Sequence, residues 1–599
     1  MYKYSHDTSS ENRTVIRSFG GLNENGTASA GEFCSVREFS SNNYPALKTR
    51  NNRRKSGTFQ GGAPTVFVGD GPRWLTRDGT LYNGREETAG FAASLAQGEE
   101  RSAVMLGSVA VIFPDKMWTN TASGASGDIE FNRAFPQAGN SLKLTLEFDD
   151  GTVPDAYYYK TSEPVSPANG QLWCSKQPDG SVLAQRYFSM DDLWLPQEKI
   201  RYRFTSPGIG EGLAEGDYVT VALLSAEGKR FGRMEKEYRV TSVTEDSVSV
   251  DDVPEIWLVA HVCRSDVHEY TIGSMRLART VPDLMHVCSC GNRLWGCTAD
   301  GHEIHSTALG SISSWERFEG SETDSWAATI GSPGEFTGCA VWDGNPVFFK
   351  ENELIRVFGN KPSNFGTVSV SCVGIERGSR FSPACVRGVL YYKGADGFYM
   401  WDGGISEKIS RGISEEYRNV YGAALGDKYY AAVTDKNGVR SMLIYDTARK
   451  TWNTSSLAAV SLCTVGCELY AVCEGDKAGD WYFVSVDRLG AGNTLDGVVF
   501  NEEYAFEWNA TTGNLLGFDD ESSVREVNIG CLLEKGAALN VYAVIDSQKR
   551  PVLLGHISGT GNRADVTLTV PPNRCRSFAL QFCGKGTFTL YSVSLTKRG

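Results

Sequence analysis

The sequence predicts an all-β protein: a β-propeller of about seven blades, interrupted by a small β-barrel-like insertion and followed by a C-terminal β-sandwich. Three observations lead to this prediction. One strand–turn–strand unit recurs along the chain at steps of about 40 residues. Its apolar residues alternate with a period of two, which is typical of strands and not of helices. A long stretch between two groups of repeats lacks the unit, so it is interpreted as an insertion.

The clearest repeats lie between Leu294 and Asp487. Each has an apolar strand, a turn with Gly or Asp, and a second strand that carries an aromatic residue. The aromatic anchors of five copies are separated by 53, 43, 38 and 41 residues. A blade of four strands uses about 40–50 residues, so each copy predicts one blade. The anchors are Trp295, Phe348, Tyr391, Tyr429 and Tyr470.

Two earlier stretches repeat the unit. Thr65–Val68 precedes Arg73–Gly84, and Val109–Phe113 precedes Lys116–Thr119. Two blades before the insertion and five after it give the predicted total of about seven. Closure of the ring is expected to combine N- and C-terminal strands, with the first blade completed by a strand that follows residue 487.

The remaining segments differ in composition from the repeats. Gly, Asn and Ser dominate the N-terminal segment, which predicts an extended arm. Alternating strands within the insertion suggest a small SH3- or OB-like barrel, and closely spaced strands at the C-terminus suggest a sandwich. The predicted boundaries are 1–60 for the arm, 61–124 for the first blades, 125–275 for the insertion, 276–490 for the remaining blades and 500–599 for the sandwich.

Charge and cysteine content narrow the class of protein. The net charge of −13 argues against tight phosphate binding, which needs clustered Lys and Arg. The local basic run Arg50–Lys55 is expected to be a solvated turn or a contact with an acidic neighbour.

Met1–Asp7 lack an apolar core, so no secretory signal is expected, and no apolar run reaches the roughly 18 residues of a membrane span. A reducing cytosol is therefore expected to keep most of the 15 cysteines unpaired.

One cluster of metal-binding residue types stands out. His286, Cys288 and Cys290 would share one face of a strand, which makes them weak candidates for a zinc site. Their spacing does not match paired Cys-x-x-Cys knuckles, so buried thiols and a hydrogen-bonded His are favoured. No cofactor is predicted.

Catalytic motifs are absent from the sequence. Asp402, Asp446 and Asp487 end strands beside Gly, Thr or Arg, where Asp stabilises turns. The stretch Thr298–Ile304 lacks the Trp of a sialidase Asp-box, and no Gly-x-Ser-x-Gly elbow or Gly-Lys-Ser loop occurs. The sequence therefore predicts that the chain is not an enzyme.

The order of the parts resembles one family. An arm containing Phe19–Asn23 and Tyr44–Leu47, an interrupted propeller and a C-terminal sandwich follow one another as in the propeller proteins of tailed-phage virions. These are the tail-nozzle and packaged-DNA-stabilisation proteins of the head–tail connector. The stretches that resemble this family are Arg293–Cys297, Ile304–Gly310, Trp315–Phe318, Val347–Ser363 and Met400–Gly404.

This resemblance implies a structural role in the virion tail, after assembly in the host cytoplasm. It implies a cyclic ring of copies of the chain, usually about six, docked on adaptor, portal-proximal and other tail proteins. The ring would surround a channel that retains packaged double-stranded DNA and passes it at ejection without sequence-specific binding. The residues expected to contact neighbouring subunits are Tyr44, Pro45 and Leu47 in the arm and Tyr218 in the insertion.

Two other interpretations stay open. A carbohydrate- or receptor-binding tail propeller would use exposed aromatics such as Trp401, Trp452 and Trp481, which are equally suited to packing between blades. The second interpretation is a propeller that serves as an interaction scaffold outside any virion.

Overall fold

The computed structural model shows a chain built from strands. It describes residues 13–26, 28–60, 64–67, 73–76, 80–83, 86–87, 101–179, 182–197, 199–213, 215–224, 237–251, 270–414, 416–490, 498–516, 522–546 and 550–598. Within those residues the regular structure is all β apart from two 3₁₀ turns, at Ser41–Asn43 and Pro362–Asn364. None of the described segments forms a helix with the length and apolarity that crossing a bilayer requires.

The described residues form seven blades around a ring, which confirms the predicted fold class. Blade 1 consists of Pro64–Phe67, Arg73–Thr76, Leu81–Asn83 and Glu86–Glu87. Blade 2 consists of Ser102–Leu106, Val109–Phe113, Met117–Asn120 and Ser126–Asp128. Blade 3 consists of Leu284–Cys290, Arg293–Thr298, Glu303–Ser306 and Trp326–Thr329. Blade 4 consists of Gly338–Trp342, Asn345–Lys350, Glu353–Phe358 and Gly366–Ser371. Blade 5 consists of Ala384–Val386, Val389–Gly394, Gly397–Trp401 and Glu407–Lys408. Blade 6 consists of Arg418–Leu425, Lys428–Thr434, Arg440–Asp446 and Thr451–Ser455. Blade 7 contains Ala459–Val465, Glu468–Glu474 and Asp480–Arg488.

Alternation within the second strand of each blade holds the ring together. In blade 4, Phe348 packs with residues of blade 3, whereas its neighbours Val347 and Phe349 pack with residues of blade 5. Successive side chains of a strand point to opposite faces, so a continuous apolar run buries both faces against neighbouring blades. The second strands therefore carry continuous apolar runs, so the period of two expected from the sequence does not hold in them.

The N-terminal segment closes the ring. Arg54–Ser56 and Phe59–Gln60 pair with the third strand of blade 7, Asp480–Arg488. Phe500–Glu502 then pairs with the outer side of Arg54–Ser56. The ring is therefore closed in blade 7 by a strand from the N-terminus, and not in blade 1 by a strand that follows residue 487.

The insertion leaves blade 2 after Asp128 and returns to blade 3 at Leu284. One sheet of the insertion closes on itself because Tyr270–Ile272 pairs with Leu142–Phe148 and the adjoining Ser274–Arg279 pairs with Tyr218–Leu224. A second, four-stranded sheet packs on the same apolar core. The other strands of the closed sheet are Phe131–Phe135, Ile200–Thr205, Glu237–Thr244 and Ser247–Val250, and the second sheet contains Tyr157–Tyr159, Leu172–Lys176, Val182–Phe188 and Leu193–Pro196.

Buried cations tie the two ends of the insertion to the propeller. Arg279, which is 4% exposed, donates from its guanidinium to the carbonyl oxygens of Asp128, at 3.2 Å, and Ile129. The Lys116 ammonium bridges Glu130 and Asp283 at 2.6 and 2.8 Å. The entering and leaving segments therefore lie side by side, as an insertion into a surface loop requires.

The C-terminal sandwich consists of two sheets that include N-terminal strands. One sheet contains Phe39–Ser40, Leu47–Thr49, Ser523–Leu533, Arg563–Thr569 and Phe588–Arg598, and Arg13–Ile16 pairs with the last of these. The other contains Phe33–Arg37, Glu507–Thr512, Ala538–Ile545, Val552–Ser558 and Phe578–Lys585. Between the sheets, the rings of Trp508 and Phe588 stack at 4.7 Å.

The predicted extended arm is therefore part of the folded body. Its strand Phe33–Arg37 runs parallel to the outer strand of blade 6, Thr451–Ser455, and antiparallel to Glu507–Thr512 of the sandwich. One sheet thus continues from the propeller into the sandwich. The sequence did not indicate this because the pairing uses backbone groups, which any residue type supplies.

A buried ion cluster fixes the corner after this strand. The Glu38 carboxylate, 1% exposed, accepts hydrogen bonds from the backbone and hydroxyl of Ser456 at 2.6 and 2.7 Å. It also pairs with the guanidinium groups of Arg50 and, at 3.3 Å, Arg53. Burial works to raise the pKa of Glu38, but the charges of Arg53 and Arg50 outweigh it and hold the pKa at about 2.

Replacing Glu38 by Gln is expected to lower the free energy of unfolding by ~3–5 kcal/mol at pH 7, because it removes the paired carboxylate of buried Arg53 and leaves Arg50 with Glu503 alone. A pKa depressed from 4.5 to about 2 gives stability that is present above 4.5 and is lost as the pH falls toward 2. The difference between wild type and variant should therefore shrink between pH 5 and pH 2. Urea unfolding at both pH values measures it, with exposed Glu507→Gln as control. A Glu38→Gln loss no larger than that of the control would contradict the role.

No disulfide joins any two of the 14 cysteines in the described part of the chain, and among them Cys34, Cys385 and Cys467 are exposed. A thiol reagent should therefore label few of the 15 cysteines in the native protein and nearly all after denaturation without reductant. Extensive labelling that appears only after reduction would show that disulfides form instead.

Candidate functional site: a cleft between the insertion and blade 3

A cleft of about 1660 Å³ lies between the closed sheet of the insertion and blades 2 and 3. One wall comes from the strands Tyr218–Leu224 and Ser274–Arg279 of the insertion. The opposite wall comes from the turn at Gly107 in blade 2 and from residues 308–323 of blade 3. Large clefts with convergent polar groups are the usual position of binding sites, so this cleft is the candidate site.

A long loop of blade 3, residues 307–325, supplies the second wall. The side chain of Arg293, which is 2% exposed, binds the backbone of this loop. Its guanidinium donates to the carbonyl oxygens of Thr307 at 2.6 Å, Asp324 at 2.5 Å and Glu322 at 3.0 Å. One side chain on the second strand of the blade thereby fixes both ends of the loop.

Asp324 and Trp315 fix the tip of the same loop. One carboxylate oxygen of Asp324 accepts hydrogen bonds from the backbone N–H groups of Glu319, Gly320 and Ser321 at 2.6, 2.6 and 2.9 Å. The Trp315 side chain is fully buried in the core between blades 2 and 3. The tip is therefore rigid although its own side chains face solvent.

Arg317 joins the loop to the insertion. Its guanidinium donates to the Tyr218 hydroxyl, lies 4.8 Å from the centroid of the Tyr218 ring, and pairs with Asp324 at 3.2 Å. Burial raises the pKa of Tyr218, and the positive charge of Arg317 opposes that rise. The two walls of the cleft are thus connected by a cation stacked on an aromatic ring.

The lining of the cleft carries charges of both signs and two exposed apolar side chains. Phe318 is 62% exposed and Leu309 is 46% exposed. Most other lining residues are polar. The charged ones are Lys199, Arg239, Arg276 and Arg317, together with Glu215, Asp217, Asp251, Glu316 and Glu319.

The four residues expected to contact neighbouring subunits lie in different environments. Tyr44 is 45% exposed and shares a 3.0 Å hydrogen bond with the Ser18 hydroxyl, and Pro45 is also exposed. Leu47 is buried in the sandwich, where it pairs with Leu590. Tyr218 lines the cleft and binds Arg317 of its own chain.

The three weak metal candidates lie on the innermost strand of blade 3. His286 is buried and its Nε2–H donates to the Phe336 carbonyl oxygen at 3.1 Å; burial lowers its pKa to about 4. The Cys290 thiol donates to the Gly344 carbonyl oxygen at 3.0 Å. Contact with the Cys339 thiol, together with burial, raises the pKa of Cys288. Within the described part of the chain, no three His, Cys, Asp or Glu side chains are placed to hold a metal ion.

The aromatic residues considered for carbohydrate binding are buried. Trp401, Trp452 and Trp481 have small exposed fractions, of 2%, 4% and 5%. Trp401 packs 4.6 Å from Trp342 of the preceding blade. These side chains are used for packing between blades, and the cleft offers Phe318 instead.

Comparison with known proteins shows no family for this chain. No protein-family model matches the chain, and no curated protein matches it. Similar solved structures include exo-β-1,3-galactanase from Phanerochaete chrysosporium (7% identity, TM-score 0.20, 52% of this chain and 95% of that one). Another is a putative 6-phosphogluconolactonase from Bacteroides uniformis, with 10% identity, a TM-score of 0.23, and coverage of 61% of this chain and 99% of that one. A third is the endosialidase of phage phi92, with 10% identity, a TM-score of 0.24, and coverage of 73% of this chain and 71% of that one.

These comparisons correct the prediction that the chain is not an enzyme. Several of the similar structures are glycoside hydrolases, and another is an endosialidase, so that prediction does not stand. Likeness at these identities and TM-scores says nothing specific about this chain. It transfers neither a substrate nor a catalytic residue to this chain.

The residues that build the cleft were not singled out from the sequence as a site. Arg293 and Trp315–Phe318 belong to stretches that resemble virion proteins, and Tyr218 was predicted as a subunit contact, but none of them was predicted to form a cleft. The available signal was the interval between the third and fourth strands of blade 3, residues 307–325, which is long for a connection between neighbouring strands. Long ordered loops on a rigid scaffold commonly carry function.

Replacing Asp324 by Ala should release the tip of this loop. The substitution leaves three backbone N–H groups without their acceptor, and each lost partner costs about 1–3 kcal/mol unless water replaces it. Hydrogen exchange at residues 316–322 should therefore accelerate about tenfold or more, with little change in the blade strands. Asp300→Ala, at an exposed turn of the same blade, is the matched control. Unchanged exchange at residues 316–322 would show that the carboxylate does not hold the tip.

Proposed function

We propose that this protein is a structural component of a tailed-phage virion. In this proposal, copies assemble in the host cytoplasm into a cyclic ring of about six, dock on adaptor and portal-proximal proteins, and form a tail nozzle or connector. The ring retains packaged DNA and passes it at ejection. The observation that carries the proposal is the joining of propeller, sandwich and N-terminal segment into one body by a shared sheet.

A rigid body suits a part that holds DNA under pressure. The shared sheet runs through blade 6, Phe33–Arg37 and the sandwich, and the buried Glu38 cluster fixes its corner. Arg279 and Arg317 fix the insertion to the same body. A load applied at the sandwich or the insertion is therefore transmitted to the propeller through packed and hydrogen-bonded groups.

The second sheet of the insertion supplies a surface for a neighbouring subunit. Large apolar side chains are concentrated on the hairpin that ends in Leu193–Pro196: Met190 is 96% exposed, and Leu193 and Leu195 are also exposed. Concentrated exposed apolar residues are typical of protein contact sites. Contact of this hairpin with a different surface of the next copy would be heterologous and could close a ring.

The charge distribution supports passage of DNA without sequence-specific binding. Net charge is −13, and the basic run of the N-terminal segment is used inside the protein. Arg50 and Arg53 pair with Glu38, and Arg54 pairs with Glu468. Cations neutralised in this way do not form a phosphate-binding patch, so DNA would slide past the ring.

Purified protein mixed with adaptor-bearing heads tests the proposal by negative-stain electron microscopy. A collar at the connector vertex is expected, and protein that stays monomeric and never docks would contradict the proposal. A variant with Met190→Asp and Leu193→Asp should remain folded, because both side chains face solvent, and should fail to form the collar. Val499→Asp with Tyr504→Asp, also at exposed positions, is the matched control and should dock like wild type. A hairpin variant that docks normally would rule out this hairpin as the contact.

A further inference from the structure

We propose that the cleft between the insertion and blade 3 is an oligosaccharide-binding site for neutral or zwitterionic glycans. The proposal does not depend on ring assembly. It rests on three features of the cleft: a rigidly held exposed aromatic ring, hydrogen-bonding groups of both kinds around it, and a size suited to a chain of sugars.

The Phe318 ring is exposed although the chain fixes its position. Asp324 holds the backbone of the following three residues, Trp315 anchors the preceding ones, and Arg317 is fixed between Asp324 and Tyr218. A flexible tip could turn such a ring inward and bury it, which would gain hydrophobic free energy. A ring that is immobilised in solvent loses little entropy on binding and offers its apolar face to a ligand.

Sugar rings match this arrangement chemically. A pyranose has an apolar face of C–H groups, which packs on an aromatic ring, and an edge of hydroxyls, which both donate and accept hydrogen bonds. Exposed donors and acceptors line the same cleft as Phe318, including the guanidinium of Arg239, the carboxylate of Glu316 and the side-chain amide of Asn292. Apolar contact and paired hydrogen bonds are the usual means by which a pocket fixes a polar ligand.

The charges of the lining residues determine which class of glycan, neutral, zwitterionic or anionic, the cleft fits. Four cationic and five anionic side chains line the cleft. Several of these are already paired: Asp217 with Arg279 at 3.2 Å, and Glu319 with Arg317 at 3.2 Å. Among the described lining residues, cations and anions are nearly equal in number, whereas a polyanion would need clustered cations. Neutral or zwitterionic sugars fit this balance.

A peptide fits the cleft less well. Recognition by strand addition needs an unpaired sheet edge. The two insertion strands that form the wall are interior strands: Tyr218–Leu224 lies between Glu237–Thr244 and Ser274–Arg279, and the last of these also pairs with Phe131–Phe135. The volume of about 1660 Å³ exceeds the roughly 300–1,000 Å³ of sites for single small molecules, which favours a chain of several sugars.

The test uses the full chain on an array of neutral, zwitterionic and anionic glycans, followed by calorimetric titration with the best ligand and with chitohexaose, cellohexaose and maltohexaose. We expect binding of a neutral or zwitterionic glycan. Phe318→Ala should weaken it about tenfold or more, because an aromatic contact and its buried area are lost. Arg239→Ala should also weaken it, and Tyr504→Ala, a fully exposed tyrosine outside the cleft, should not.

Equal thermal midpoints for the three variants and wild type establish that the fold is retained, and size-exclusion chromatography records assembly separately. The proposal is overturned by the absence of binding to every glycan on the array, or by tightest binding to polyanionic glycans. It is equally overturned by binding that is unchanged in both Phe318→Ala and Arg239→Ala. Loss of binding with assembly intact, or of assembly with binding intact, shows which of the two proposals fails.

Discussion

The pairing of the N-terminal segment with three other parts of the molecule is the constraint on which the structure depends. Phe33–Arg37 links the outer strand of blade 6 to the sandwich, and Arg54–Ser56 completes blade 7. Between these strands the chain turns at Glu38, whose carboxylate is buried against two arginines. Without this segment, blade 7 would lack its outer strand, and the sandwich would lose its continuous connection to the propeller. The same segment therefore both closes the ring and attaches the sandwich.

The same physical device holds two irregular parts of the molecule. A buried arginine donates to backbone carbonyl groups: Arg293 holds the loop of blade 3, and Arg279 holds the base of the insertion. A planar guanidinium with five donors can satisfy several carbonyl groups at once, which loops otherwise leave unpaired when they are buried. These loops are therefore rigid, and the cleft between them has a defined shape although much of its surface is loop.

The sequence predicted those parts of the fold that depend on side-chain pattern. Apolar runs around Phe348 and Tyr429 are buried between blades, so their recurrence predicted blades and their number. The closing strand Arg54–Ser56 has no apolar residue, and its place is set by backbone pairing and by the ion pair of Arg54 with Glu468, which leave no periodic signal. The cleft was hidden for a related reason. Its tip at Phe318 belongs to a loop without periodicity, and two of the residues that hold this loop, Arg293 and Tyr218, are distant along the chain.

The claim that the N-terminal segment joins propeller and sandwich into one body can be measured directly. Native-state hydrogen exchange in rising urea should show amides of Phe33–Arg37 and Arg54–Ser56 exchanging only through the same global opening as the strands of blades 6 and 7. Exchange of these segments at low urea, while the blades stay protected, would contradict the account and make the segment a separable arm.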